Sequence, residues 1–484
     1  MYHFPIFLTS SMKAPILVCL LLVFGLFSQA ENAKPHIILV MADDQGWGQM
    51  GYQGHPDILT PHLDEMAAES LRFDRFYAGA SNCSPSRATV LTGRSNDRTG
   101  VLNHGYPLRL QEKTIAQALR EAGYVTGHFG KWHLNGLRGP GVPVFETDTH
   151  HPGAFGFSEW LTVTNYFDRN PLLGREGKFE DFEGDSSEVA MDEAIRFIRK
   201  HAPDSPTFTV VWYGTPHDPM VASDEDRAPF AQLSERHQHQ YGEILALDRS
   251  VGSLRSALRE MKIEENTMVW YCSDNGGLNG FGPDTMGGLR GSKNTMYEGG
   301  LRVPGILEWP AKVPEGRITD FPSGTVDIFP TLADIVGLPE TSWIEPQDGM
   351  SLLPLIEGAD PSREHPLPFR HDQRGVLIGE RYKILSQKGK FELYDLIEDP
   401  AETTNLIDTK PEIAEQWIAK WEAWNETVER SAEGKDYPEG KVDPNQPERR
   451  FWHDDEAYQE YLEEFQKRPE YGDWLKKRRG TKAK

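Results

Sequence analysis

The sequence predicts an α/β protein: a large mixed, mostly parallel sheet flanked by helices, then a smaller C-terminal antiparallel-sheet subdomain with a helix. Three observations predict it. The runs HIILVM (36–41), FTVVWY (208–213) and TMVWYC (267–272) are continuously apolar over strand length, as expected for strands covered on both faces in a parallel sheet. Helix-periodic segments separate such runs, the order that makes crossover connections. After about Pro361 the long alternation gives way to short strand-like segments close together.

Taken in order, His36–Met41 is the first strand and Arg72–Tyr77 a shorter second. Thr114 is placed to cap a helix with Ile115, Leu119 and Ala122 on one face, and Tyr124–His128 reads as the next strand. Phe208–Tyr213 follows. Tyr241–Leu258 has helical spacing through Ile244, Leu247, Val251 and Leu254, and leads into the strand Thr267–Cys272. Beyond Pro361, Gly375–Leu385 and Phe391–Leu393 read as short antiparallel strands. Ile413, Trp417, Trp421 and Trp424 then form one helical stripe, expected to pack on that sheet rather than to present a ligand platform. From about Glu429 the chain is charged and punctuated by Pro and Gly. There Tyr458, Tyr461, Leu462 and Phe465 suit one more amphipathic helix, and the sequence ends in a basic tail, KKRRGTKAK.

Composition excludes some functions. Hydrophobic residues make up 38% of the 484, enough to fill a large core, so the chain is not of disordered type. A net charge of −23 argues against nucleic-acid binding through bulk electrostatics; an anionic substrate would need a local basic pocket in an acidic surface. Ala14–Phe27 is an apolar run short of comfortable bilayer span, and Ser28-Gln29-Ala30 supplies small residues for cleavage. Residues 1–30 are therefore read as a signal peptide, with Met12 as an alternative start because Lys13 is the only cation ahead of the run. Cys19 lies within that run, a poor setting for lipidation. The expectation is an exported protein, periplasmic or extracellular in a bacterium. In a eukaryotic secretory route Asn425-Glu426-Thr427 would be a glycosylation acceptor. Cleavage leaves Cys83 and Cys272, for which one disulfide is the simplest reading and separate roles the alternative.

In open α/β sheets ligands bind beyond the carboxyl ends of the strands. Four of the five predicted strand ends deliver polar groups: Asp43-Asp44 after the first, Lys131 and His133 after the third, His217 after the fourth, and Asp274-Asn275 after the fifth. Three carboxylates and one amide oxygen form a hard, all-oxygen set that suits Ca²⁺, with Mg²⁺ second, and not Zn²⁺. Without a cation the carboxylates would repel one another. Lys131, His133, His217, Lys293 and Arg87 form a basic set able to neutralise a tetrahedral oxyanion and to protonate a leaving oxygen. Pro85 suits the first turn of a helix and Gly93 its end, so Cys83 falls at a helix N-terminus, where a free thiol is expected to be acidified and reactive.

These residues resemble the formylglycine-dependent type I sulfatases, arylsulfatase-like members of the alkaline phosphatase superfamily. Cys83-Ser84-Pro85-Ser86-Arg87, four residues, then Thr92-Gly93-Arg94 matches that family's maturation signature at every fixed position. ADDQGWG (42–48), GKWH (130–133), TPHDP (215–219), SDNGG (273–277) and RGSKNTMYEGGLRVP (290–304) agree in order and spacing, and LYDLIEDPAETTNL (393–406) is similar to the family's C-terminal subdomain. The resemblance runs from about Lys34 to about Ile407. It implies a catalytic sulfatase domain at 34–360, a C-terminal α+β subdomain at 361–428 and a charged extension at 429–484. It also implies that a formylglycine-generating or equivalent maturation enzyme converts Cys83 to Cα-formylglycine before folding. One hydroxyl of the hydrated aldehyde would attack sulfur, and the second would later collapse to expel sulfate. By the same resemblance Asp43, Asp44, Asp274, Asn275 and residue 83 would hold one Ca²⁺. Arg87, Lys131 and His133 would surround the diol, and His217 and Lys293 would contact the sulfate and protonate the leaving group. Cys272, left without a partner, is then read as a small buried apolar residue.

A sulfated carbohydrate or polysaccharide is the expected substrate. Candidate specificity residues are Asn103-His104, His150-His151 and Asn165-Tyr166, the two adjacent histidines reading more readily as plain exposed loop residues. The alternatives are a phosphatase or phosphodiesterase of the same superfamily, a catalytically inactive glycan-binding relative, and a sulfate transferase.

Overall fold

The computed structural model describes residues 1–3 and 34–482. The signal-peptide run, its cleavage site and Cys19 lie outside the described residues. Among those described, no helix is long and apolar enough to cross a membrane.

Eleven strands form the main sheet: β1 (His36–Ala42), β2 (Leu71–Tyr77), β3 (Val125–Lys131), β5 (Glu159–Val163), β6 (Leu172–Arg175), β7 (Lys178–Asp181), β8 (Thr207–Trp212), β9 (Thr267–Ser273), β10 (Arg302–Glu308), β11 (Arg317–Thr319) and β12 (Ser323–Gly324). The order is β11-β2-β10-β9-β1-β8-β3-β5-β6-β7, with β12 also on β2. The central block β9-β1-β8-β3-β5 is parallel. Antiparallel β10 and the β6–β7 hairpin make the sheet mixed.

Strand periodicity explains why β1 reads as an unbroken apolar run. Ile37, Leu39 and Met41 enter one core and Ile38, Val40 and Ala42 the other, since successive side chains point to opposite faces. The first core takes helices α2 (Cys83–Thr92), α3 (Ile115–Glu121) and α6 (Ile328–Val336). The second takes α1 (Pro61–Glu69), α4 (Ser186–His201) and α5 (Glu235–Met261). Thr114 caps α3 as its sequence predicts. Its hydroxyl accepts from Gln117 N, while the Gln117 amide oxygen accepts from Thr114 N.

A four-stranded antiparallel sheet follows: β13 (Leu367–His371), β14 (Arg374–Ile378), β15 (Tyr382–Gln387) and β16 (Lys390–Asp395), in chain order. The stretch Gly375–Leu385, expected to be one strand, is two, turning at Gly379–Arg381. Helix α7 (Pro411–Ala432) lays Trp417 and Trp421 on this sheet. A Cβ at Gly375 would come within 1.7 Å of Trp421, so only glycine admits that ring.

The last forty residues differ from their expected form. Glu456–Tyr461 is 3₁₀, Leu462–Phe465 a single α-turn, and the supposed basic tail continues a helix, α8 (Pro469–Lys482). Strand β17 (Arg450–Phe451) pairs in parallel with β4 (Leu137–Arg138). Trp452, Tyr458, Phe465, Tyr471 and Leu475 bury themselves against Leu137, Val142 and Leu172 of the main body. The Tyr458 and Tyr471 hydroxyls donate to the carbonyls of Pro143 and Gly141, both at 2.8 Å.

Candidate active site

The register of the parallel strands builds the acidic corner. Ala42 at the end of β1 pairs with Ser273 at the end of β9, so the residues that follow, Asp43-Asp44 and Asp274-Asn275, emerge side by side. Backbone bonds fix them there: Asp274 N donates to Ala42 O (3.1 Å), Asp43 N to Thr215 O (2.9 Å), and Asp44 N to the Asp274 carboxylate (3.2 Å). Oxygens of Asp43, Asp44 and Asp274 lie within 4.8 Å of one another, and all three side chains are buried.

Cations surround this corner. Arg87 lies 2.8 Å from Asp274 and 3.8 Å from Asp43; Lys131 lies 2.5 Å from Asp43; Lys293 lies 2.6 Å from Asp44. Burial pushes Asp43 and Asp44 upward, but Lys131 and His217 around the first, and Lys293 and His217 around the second, hold both below the usual carboxylate range. Asp274 goes the other way, raised by burial and by the like charge of Asp43. Among the described residues, Asp43 Oδ1 and Asn275 Oδ1 are buried acceptors with no hydrogen-bond donor. Two free oxygen acceptors beside three carboxylates fit a hard cation such as Ca²⁺ or Mg²⁺.

Strand β3 runs further than its apolar residues indicate and carries Lys131 itself. Gly130 permits this: its φ is +100°, and a Cβ there would sit 2.1 Å from Trp212 O. His133 follows with φ +56°, buried, and both ring nitrogens lack a partner among the described residues. Burial, with Lys131 and Arg87 nearby, pushes it well below the normal imidazole range.

Helix α2 begins at Cys83 and ends at Gly93, in the left-handed region at φ +68°. Ser84 ties the helix to the β3 end: its hydroxyl donates to His133 O and accepts from Gly105 N, each at 2.7 Å. The Cys83 sulfur, an Asp43 oxygen and a His217 ring nitrogen lie within 4.8 Å of one another. The thiol is not acidified as expected. Burial pushes it up to about 12, and Lys131 and Lys293 recover only part of that. Position at a helix N-terminus is outweighed by loss of water. Nor is it bridged: Cys83 and Cys272 are both free, and Cys272 packs in the first core.

Cys83 opens into a cavity of about 320 Å³ shared with His133, His217 and Lys293. Two of the three candidate specificity pairs reach it. His104, Asn165 and Tyr166 line the wall. Tyr166 stacks on His217 at 4.6 Å, and Asn103 accepts from Asn82 at 2.8 Å. The third pair does not. His150 is buried against Phe155, and His151 stacks on Trp160 and accepts from Gly153 N, so neither is a wall residue or a freely exposed loop residue. Among the wall residues that sequence reasoning missed are Arg138 and Phe451, the latter from β17. A larger cavity of about 720 Å³, bordered by Trp424 and Met350, holds neither of the cysteines nor any of the metal-corner carboxylates.

A doubly flanked sheet with a carboxylate corner and a ring of bases at its carboxyl edge defines a hydrolase of acidic esters. The chain belongs to the sulfatase family and is a type I sulfatase of the alkaline phosphatase superfamily. The Sulfatase family model matches residues 35–338, and that of the N-sulphoglucosamine sulphohydrolase C-terminal region matches 291–421. N-acetylgalactosamine-6-sulfatase of Canis lupus familiaris is 32% identical over 76% of this chain and 74% of its own length. Arylsulfatase A of Homo sapiens is 32% identical over 82% and 87%. The crystal structure of Ps i-CgsB in complex with k-i-k-neocarrahexaose superposes with a TM-score of 0.72 at 27% identity, covering 81% of this chain and 92% of that one.

Proposed function

We propose that the protein hydrolyses a sulfate ester of a carbohydrate or polysaccharide, using an oxygen nucleophile on formylglycine made from Cys83. One observation carries this reading: residue 83 begins α2 within 4.8 Å of Asp43 and His217, at the meeting of the carboxylate corner and the basic cavity. The relatives support the substrate class, since one is named an N-acetylgalactosamine-6-sulfatase and another is in complex with k-i-k-neocarrahexaose.

Asp43, Asp44, Asp274 and Asn275, with residue 83, would hold Ca²⁺ (Mg²⁺ is the second choice), and the bound ion supplies Lewis-acid charge and orientation at the sulfate. Arg87 and Lys131 fix the carboxylates and the position of residue 83. His133, neutral because it is buried, accepts a proton from the attacking hydroxyl. Lys293, kept protonated by Asp44 against its burial, faces the sulfate oxygens together with His217, and this pair protonates the departing alcohol. The proposal includes export, maturation by a formylglycine-generating enzyme, and the division into 34–360, 361–428 and 429–484.

Three measurements test it. Mass spectrometry of the peptide containing residue 83, after expression with the maturation enzyme, should show the aldehyde or its hydrate. Chelation should abolish turnover and Ca²⁺ should restore it. A panel of defined sulfated sugars, read by released sulfate, names the substrate. Turnover of a simple aryl sulfate with no release from any carbohydrate would overturn the carbohydrate assignment. Faster cleavage of the phosphate than of the sulfate ester of one phenol would favour the phosphatase reading.

A further inference from the structure

We propose that the cavity has a second anion subsite centred on Arg138, so that the preferred substrate carries another sulfate or a carboxylate beside the sulfate being removed. This rests on the desulfation reading above and adds the charge class of the substrate.

The argument starts from an imbalance. The chain has 74 acidic and 51 basic residues, and most of its buried arginines meet a carboxylate: Arg94 with Asp436, Arg98 with Asp348, Arg255 with Glu308, Arg363 with Asp327, while Arg75 donates to the carbonyls of Gly379 and Glu380. Arg138, Arg449 and Arg478, all half-buried, gather at one place. Among the described residues, no carboxylate comes within ion-pair distance of any of them. Arg138 Nε is buried with no acceptor. Arg138 and Arg478 both stack on the Phe451 ring, with guanidinium carbons 4.4 and 3.6 Å from its centre.

One acceptor serves two of these cations. Arg449 Nη2 and Arg138 Nη2 approach His104 Nε2 at 3.1 and 3.4 Å, and His104 Nδ1 lies 2.9 Å from Asn103 Oδ1. Two donors on Nε2 require the neutral tautomer with its proton on Nδ1, donated to Asn103. Burial and the two arginines push His104 down to about 3, so it stays neutral and contributes no negative charge. Arg138 is itself pushed down by burial, then by Arg449 and Arg478. Arg449 is pushed down by burial; Tyr106 and then Asp372 oppose this, and Asp372 is already engaged with Arg374 and His371. Like charges gathered without a carboxylate repel one another, and a bound anion would relieve that repulsion.

Location decides which anion. Arg138 and Phe451 line the same 320 Å³ cavity as Cys83 and Lys293. A group bound at Arg138 therefore sits on the same sugar as the reacting sulfate or on its neighbour. A planar guanidinium fork suits sulfate and carboxylate oxygens equally. Arg449 and His104 act as positioning residues through Arg138.

The test compares kcat/KM for a monosulfated neutral disaccharide, the same disaccharide with a second sulfate, and a monosulfated disaccharide with a uronate. Mature wild-type enzyme should prefer a doubly charged substrate, and the better of the two names the anion. Arg138→Gln should lower that preference at least about tenfold, the cost of a lost charged hydrogen bond, through KM more than kcat. Arg138→Lys should retain part of it, and Arg449→Gln should lower it less. Equal losses on singly and doubly charged substrates would overturn the subsite. If wild type cleaves no sulfate ester, the desulfation reading fails. Calorimetry with the disulfated disaccharide then judges the subsite alone: binding weakened by Arg138→Gln supports it, and binding indifferent to that change, or none, refutes it.

Discussion

Trp452→Ala should detach the C-terminal extension from the main body without unfolding the sheet. The indole is fully buried, 5.3 Å from Trp474 and 5.6 and 5.7 Å from Phe465 and Tyr471, and packs beside Leu137 and Val142. Its ring nitrogen has no hydrogen-bond partner among the described residues, so truncation loses packing alone. Burial of about 200 Å² at about 25 cal/mol/Å² gives about 5 kcal/mol, at the upper end of the range seen for buried aromatic-to-alanine changes. The other ties are weaker: two tyrosine hydrogen bonds at about 1 kcal/mol each, and the exposed Arg468–Asp181 pair at under about 1 kcal/mol. Hydrogen exchange read by mass spectrometry should therefore show amides of 450–475 exchanging about a thousandfold faster. Peptides of β1 and β9 should keep their protection. Carbohydrate turnover should fall, because Phe451 leaves the wall and Arg449 leaves His104. Unchanged protection at 450–475, or equal loss in β1, would refute the reasoning.

Three further outcomes follow from the same geometry. Asp185, which caps α4 through Ser187 N, is pushed up to about 6 by burial. Its ionisation is thus opposed in the fold, and stability should decline by up to about 3 kcal/mol as pH rises from about 4 to about 6. Asp185→Asn keeps the cap and should flatten that slope, leaving the variant more stable at pH 7.5 than wild type in urea melts. Thr114→Ala removes both a capping box and a 2.5 Å bond to Phe155 O, and should cost about 1–2 kcal/mol in the same melts. In protein expressed without the maturation enzyme, neither Cys83 nor Cys272 should react quickly with a thiol reagent at pH 8, because burial raises both thiols; rapid labelling before unfolding would contradict the burial argument.

Strands β1, β8 and β9 were legible because a strand covered on both faces writes an uninterrupted apolar run. The acidic corner was legible because such runs end where the polar residues begin. The end of β3 was less so: Gly130 and Lys131 are poor strand formers, held in place by the close approach of Trp212 and by Asp43. The elevated thiol pKa of Cys83 could not be read, since dipole and desolvation oppose each other and only the packed structure gives their balance. The extension was read only in part. Tyr458, Tyr461, Leu462 and Phe465 read as one amphipathic helix but are delivered by a 3₁₀ segment and a single α-turn, and Trp452 by another 3₁₀ turn, an irregular geometry whose packing leaves no clear period in the sequence. Arg138 and Arg449 were missed, because unpaired charge is visible only once the partners that are absent can be checked in space.

The depth at which residue 83 lies also makes chain order a clock. Cys83 is 2% exposed in the folded protein, beneath the ends of strands that arrive later. An enzyme that must grip it, as the proposed maturation requires, has access only until β9 joins β1. That strand ends 190 residues downstream of Cys83 (273 − 83). At synthesis rates of roughly 5–20 residues per second the interval is roughly 10–40 s. Phe451, which completes the wall, comes later still. Under the proposed maturation the active site would be made in two instalments, its nucleophile while the chain is open and its substrate wall after the sheet has closed, and a folding mutant that closes the sheet early would leave a well-folded protein with an inert thiol.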